Sequence, residues 1–299
     1  MGPIQHCGQG CSAVTLTWQT DGETWLLLPP QPRAVIHFLG GAFVGSAPQF
    51  FYSRLLEELA RMGMAVVATA YPTDIDHAQI AFKAAQSFHR SLQSKGLMGL
   101  PLFGLGHSLG GKLQILSCLA LPSLGSQRRG NIFLAYSNAG LARALPVLQA
   151  LAQAWPQQQL SDLWRMWMGS SSPPVNLWLE FEPSPAETNR LVEEEYPVRN
   201  NLLVEFQRDD IDDIPLLYQQ LSRKYGEQTE WQCLEGDHLT PLGFSYPFPV
   251  GQEFSPIDAF TQLLYQNLLA PNYLMIQRIK AWLLAQLAYS SQLRSERRS

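Results

Sequence analysis

The chain has 299 residues, 46% of them hydrophobic, which is enough apolar surface to bury a sizeable core and excludes wholesale disorder. Charged residues make up only 15% and the net charge is −4, so there is no basic excess to neutralise phosphates and no nucleic-acid partner is expected. Cys7, Cys11, Cys118 and Cys233 form no CxxC pair and are too few to staple a chain this long, which points to a reducing compartment.

The N-terminal MGPIQHCGQG has neither the basic nor the apolar region of a secretory signal, and His6 stands where a myristoylation pattern needs Ser or Thr. No apolar run approaches the roughly 18 residues of a membrane span, so no transmembrane segment is expected and the expected location is cytoplasmic. VTLTW (14–18) and TWLLL (24–28) flank a turn at Asp21-Gly22 and read as a hairpin. RAVIHFLGG (33–41) is a buried strand running into a tight glycine loop. Phe51, Leu55, Leu56 and Leu59 share one face of a helix predicted over 48–62.

MAVVATA (64–70) is the next buried strand, and 76–92 has helical periodicity. LPLFGLG (100–106), a helix at 112–121 and NIFLAYS (131–137) follow. The regularity then breaks over about 140–200, a stretch holding Trp155, Trp164, Trp167 and Trp178. It resumes with a strand at 201–206, a helix near 213–225, a strand at 229–235 and a long amphipathic segment at 256–289. Apolar strands alternating with helices predict a mostly parallel sheet of about eight strands covered on both faces, with the hairpin at one edge. We expect one domain over 1–299 with a cap inserted at 140–198.

The chemistry is carried by Gly106-His107-Ser108-Leu109-Gly110, a G-x-S-x-G match. Chance gives about 0.1 such matches in a chain this long, so context decides. The match joins an apolar strand to a helix, the setting of a nucleophile elbow. A sharp turn there strains Ser108 and exposes its Oγ, and glycine is required at 106 and 110 because side chains would collide across the turn. The helix N-terminus favours a developing oxyanion, with Leu109 N–H as first donor. The second donor is expected in the Gly41–Ala42 region of the glycine loop, with Ala42 preferred over Gly41.

A serine nucleophile needs a base and an orienting acid, and the elbow fold sets the order serine, acid, histidine. Asp209, Asp210, Asp212 and Asp213 follow the strand at 201–206. Asp209 is preferred because it lies first beyond the strand end, with Asp212 as runner-up; at least one of the four is expected to cap the next helix. His238, in the loop after the last strand, is the expected base. His107 should point away into the structure, His77 and His89 lie near a helix packing face, and His37 precedes the serine in the wrong order.

The elbow, the glycine loop and this residue order resemble the α/β-hydrolase superfamily. More narrowly, five stretches resemble the family known as domain of unknown function 1350: 65–81, 100–114, 181–206, RDDIDD (208–213) and GDHLTP (236–241). The resemblance implies an α/β-hydrolase fold with Ser108, Asp209 and His238 at the triad stations. It implies nothing specific about substrate. Tyr136-Ser137-Asn138 departs from the Phe-Asn-Asn common in that family. In resembling hydrolases a cap grows where 140–198 stands, and its tryptophans would either line a pocket or bury the cap against the core. Glu193 to Glu195 read as a solvated face.

No phosphate-binding lysine loop and no zinc-binding H-E-x-x-H motif occurs, and no cofactor is expected. The reading that results is a serine hydrolase acting on the ester or thioester of a small or lipid-like acyl substrate. Acyl transfer to an alcohol would use the same residues. The contrasting reading is a non-catalytic binding or assembly protein on the same fold.

Overall fold

The computed structural model describes residues 16–140, 181–243 and 270–288. Strands β1 (Gln19–Asp21) and β2 (Thr24–Leu27) form the edge hairpin, closed by Gly22 and Glu23. The first strand lies later than the predicted 14–18. Strands β3 (Ala34–Leu39), β4 (Met64–Thr69) and β5 (Leu102–His107) are buried at every position, which is why they read as continuous apolar runs. β6 (Arg128–Leu134), β7 (Asn200–Phe206) and β8 (Thr229–Leu234) complete an eight-stranded sheet. Its order is β1-β2-β4-β3-β5-β6-β7-β8, antiparallel only where β2 pairs with β1 and β4.

Alternate residues of each inner strand serve opposite faces. Ile36, Phe38, Phe103, Leu105, Ile132, Leu134, Leu202 and Val204 pack under helices α1 (Pro48–Phe51) and α2 (Ser53–Arg61) and the C-terminal helix α8 (270–288). On the other face lie α3 (His77–Ser94), α4 (Leu109–Ala120), α5 (Pro122–Gln127), α6 (Pro185–Glu194) and α7 (Ile214–Tyr225). There Phe88 and Leu92 of α3 meet Val35 and Val67, and Val192 and Leu217 of α6 and α7 meet Phe133 and Leu203.

The predicted helix over 48–62 is two helices, because Tyr52 adopts φ −122° and ψ 14° between them. The predicted strand over 131–137 begins and ends three residues earlier. Helix α5 went unpredicted; its sequence PSLGSQ carries almost no apolar pattern.

Within the expected cap interval, residues 141–180, and with them the four tryptophans, lie outside the described residues. Residues 185–198 pack on the sheet as part of the β6-to-β7 crossover, with Val192, Tyr196 and Val198 in the core. Glu193, Glu194 and Glu195 are exposed, as a solvated face requires. Cys118 and Cys233 are both free; Cys7 and Cys11 lie outside the described residues.

β3 and β5 are neighbours, yet the chain leaves β3 towards β4 on one side and later enters β5 on the other. The C-terminal ends of β3 and β5 are therefore the switch point of the sheet, the place where open α/β sheets carry their sites.

Candidate active site

Ser108 stands at that switch point, between β5 and α4. It adopts φ 53° and ψ −123°, a conformation a non-glycine residue holds only when its surroundings enforce it. The enforcement is main-chain: Ser108 N–H donates to Leu134 O at 2.9 Å, and Gly111 N–H donates to Ser108 O at 3.0 Å. A Cβ at Gly106 would fall 2.5 Å from Gly110 O, so this glycine is needed to close the turn, as expected. Gly110 is needed for a different reason from the one expected. Its Cβ would strike Leu39 O at 2.0 Å and Gly40 O at 2.4 Å, so it guards the approach of α4 to the end of β3.

The loop after β3 lies against the elbow: a Cβ on Gly41 would be 3.4 Å from Ser108 Cβ. Gly41 N–H, one of the expected oxyanion donors, donates instead to Tyr52 Oη at 2.8 Å. Among the described residues no such bond engages the N–H of Ala42, the other residue expected there. The next residue, Phe43, is held at φ 63° with its N–H donated to Thr73 Oγ1 at 2.8 Å, a second strained backbone position.

The acid and the histidine come from loops after β7 and β8. These loops are joined by Arg208 N–H donating to Gly236 O at 3.0 Å. Asp209 Oδ1 accepts from Ile211 N–H at 3.1 Å, and Oδ2 lies 2.7 Å from His238 Nδ1. The Asp209 side chain is fully buried, whereas that of His238 remains 13% exposed. His238 Nε2 lies 2.9 Å from Ser108 Oγ. Thr240 Oγ1 accepts from Asp237 N–H at 2.8 Å, and Asn272 Nδ2 of α8 donates to Thr240 O at 2.8 Å, so the histidine loop is fastened from below.

The runner-up acid, Asp212, turns elsewhere: its Oδ1 accepts from Ile214 N–H at 3.2 Å, at the start of α7. Burial, with Asp209 close by, pushes its carboxyl up to about 7. Asp213 precedes α7 and accepts from Asn138 N–H at 2.8 Å, and Asp210 is exposed. Thus Ser108, Asp209 and His238 converge, with Leu109 opening helix α4 beside them.

The other histidines stand apart from the serine hydroxyl. His37 stacks on Phe88 at 4.2 Å and bonds Thr69 and Arg128. His77 stacks on Phe181 at 4.3 Å, and His89 pairs with Gln93. His107 does point inward, as expected, but reaches two partners near the site that its sequence position did not foretell, Tyr52 and the backbone of His238. Sequence reasoning also missed Tyr71, whose hydroxyl donates to Gly40 O at 2.5 Å. A signal existed for Tyr71, since it directly follows a strand at the end where sites form; Tyr52 gave none. Among the described residues no group of three or more His, Cys, Asp or Glu side chains is arranged to hold a metal ion.

An eight-stranded, mostly parallel sheet with its helices on both faces and a strained serine at the β5–α4 elbow makes this an α/β-hydrolase fold. Solved structures agree on the fold. An esterase/lipase from an uncultured bacterium shares 14% identity over 92% of this chain and 85% of its own, with a TM-score of 0.54. EstE5 shares 11% over 92% and 85%, with a TM-score of 0.56. A soluble variant of monoglyceride lipase from Saccharomyces cerevisiae, solved with a substrate analog, shares 14% over 91% and 95%, with a TM-score of 0.53. At these identities the likeness establishes the fold alone.

No curated protein matches the chain in sequence. The family model of the protein of unknown function DUF1350 matches residues 17–285, and the chain belongs to that family. Among the described residues no helix is long and apolar enough to cross a membrane.

Proposed function

We propose that the chain is a serine hydrolase that cleaves a carboxylic ester or thioester through an acyl-enzyme on Ser108. The observation that carries this reading is the continuous hydrogen-bonded line from Asp209 through His238 to Ser108, at 2.7 Å and 2.9 Å. Its proton arrangement follows from chemistry. An ionised carboxylate only accepts, so His238 Nδ1 bears the ring proton and Nε2 is left to accept from the serine hydroxyl. That tautomer is the one able to take the proton when Ser108 attacks an acyl carbonyl.

In this mechanism the tetrahedral oxyanion is held by the N–H groups of Leu109 and Ala42. His238, now an imidazolium stabilised by Asp209, gives its proton to the leaving alcohol or thiol. Water, activated by the same imidazole, then releases the acid and restores Ser108. No step calls on a cofactor. The buried acid and partly exposed imidazole suit this division of labour, because only the imidazole must meet the substrate.

A fluorophosphonate probe should label the folded wild-type chain and leave Ser108→Ala unlabelled. Nitrophenyl esters of short and long acyl chains should be turned over by the wild type alone. Labelling that survives Ser108→Ala would show the nucleophile to be misassigned. A folded wild type that neither labels nor hydrolyses would favour the binding or assembly role.

A further inference from the structure

Tyr52 interrupts the α1–α2 helix and buries its ring against Phe38, with centroids 4.7 Å apart. A fully buried hydroxyl must find partners. Tyr52 Oη lies 2.8 Å from Gly41 N and 2.7 Å from His107 Nδ1. His107, buried as well, has its Nε2 2.9 Å from the carbonyl oxygen of His238. Only one arrangement of protons satisfies all three contacts. A carbonyl only accepts, so His107 Nε2 carries the proton. Burial, together with the neighbouring His238, holds the His107 pKa down to about 3, so the ring is neutral and Nδ1 accepts. Tyr52 O–H therefore donates to Nδ1, and its oxygen receives the Gly41 N–H.

The line runs from Gly41 through Tyr52 and His107 to His238. It crosses from the loop after β3, through the elbow residue preceding Ser108, to the loop after β8. Two further bonds make it directional. The Gly40–Gly41 peptide is gripped at both ends, by Tyr71 on its carbonyl and Tyr52 on its N–H. Gly45 N–H donates to Gly41 O at 2.7 Å, which fixes the next peptide plane. In a trans peptide the Ala42 N–H then points opposite to that carbonyl and cannot turn away.

We infer that Tyr52 and His107 are positioning residues that lock the Ala42 donor, Ser108 and His238 into one mutual geometry. The inference rests on the serine-hydrolase reading, and neither residue touches the reacting atoms. Loss of the line leaves the polypeptide able to bind substrate but loosens the donor that meets the oxyanion.

The test uses the full chain, a nitrophenyl ester, and phenylboronic acid, whose tetrahedral adduct on Ser108 mimics the oxyanion. Tyr52→Phe should lower kcat by about 10- to 100-fold, less than outright loss of an oxyanion donor, with KM changed by less than about twofold. The inhibition constant of the boronic acid should rise by a similar factor, a readout that a loss of stability alone would not move. His107→Leu should behave like Tyr52→Phe. His107→Gln should recover most of the loss, since an amide offers one acceptor and one donor at a separation close to that of the ring nitrogens. Folded Tyr52→Phe or His107→Leu with wild-type kcat and wild-type inhibition would overturn the inference. Should Tyr52→Phe not fold, the His107 pair decides: equal turnover by the Gln and Leu variants overturns it. A wild type that neither labels with fluorophosphonate nor turns over ester defeats the hydrolase reading itself, and the inference with it.

Discussion

Gly110→Ala probes the tightest contact at the site. The new Cβ would sit 2.0 Å from Leu39 O and 2.4 Å from Gly40 O, both backbone atoms where the glycine loop leaves β3. Ordinary contact begins near 3.4 Å, so α4 and the end of β3 must separate by about 1.4 Å. Alanine gains about 1 kcal/mol of helix preference over glycine in a helix interior, and less at this second residue of α4. Overpacking against atoms that cannot rotate away costs about 1–3 kcal/mol, so the variant should be less stable. The larger effect should be on chemistry, because the same displacement carries Ala42 away from Leu109. Loss of one oxyanion donor lowers turnover by about 100- to 1000-fold. Gly111→Ala is the matched control, since the nearest atoms to its Cβ would belong to the side chains of Tyr136 and Phe133, at 2.9 Å and 3.3 Å, and not to the backbone of β3. Melting by scanning fluorimetry and the rate of fluorophosphonate labelling read the two effects separately. The Gly110 variant should melt a few degrees lower and label at least about 100-fold more slowly, against less than about tenfold for Gly111→Ala. A Gly110→Ala protein with wild-type melting and wild-type labelling would refute the packing argument.

Two other outcomes follow from the same geometry. Asp209→Asn should cut kcat by about four orders of magnitude, whereas exposed Asp210→Asn should change it less than about threefold; steady-state ester kinetics decide, and the reverse result moves the acid. Stability should fall in acid, because burial holds His77 and His107 down to about 3 and His37 well below the usual range of 6.5. Below pH 6.5 the unfolded chain takes up protons that the folded chain refuses, so stability is complete above that pH and declines towards pH 3. Three such histidines remove at most about 6 kcal/mol by pH 5, comparable to the whole stability of many domains. Asp212, raised to about 7, pulls the opposite way and offsets part of this. Urea unfolding at pH 7 and pH 5 measures the difference, and equal midpoints would contradict it.

The sheet was legible because β3, β4 and β5 are buried on both faces and so leave long apolar runs in the sequence. The boundaries were less so. β6 starts at Arg128, a charged residue that is nevertheless buried, its guanidinium bonded to His37 and Gln114. A hydropathy reading places such a residue in a loop and moves the strand downstream. The strand also stops before Tyr136, because Ala135 turns to φ 45° and lifts the next residues out of the sheet. Helix α4, predicted over 112–121, starts at Leu109, ahead of the glycines at 110 and 111. Both are helical, and the space they leave is taken by β3 and by Tyr136.

The candidate site shows the same division more sharply. Ser108, Asp209 and His238 could be found one at a time, since each stands just beyond a strand end in an order the elbow fold imposes. Tyr52 and His107 could not. Periodicity assigns a residue to a face, and Tyr52 lies one position beyond Phe51 on a helix whose interruption no residue announces. His107 alternates inward on β5, so its position accounts for burial but not for the two partners it meets there. Those partners come from segments 55 residues upstream and 131 downstream. A hydrogen bond between distant loops leaves no local signature, yet it is what turns residues at three strand ends into a fixed arrangement. On the proposed mechanism, a sequence with the same serine, aspartate and histidine but without this Tyr–His pair would carry the same motif and hold its oxyanion donor less firmly, so catalytic strength should vary more than the motif does.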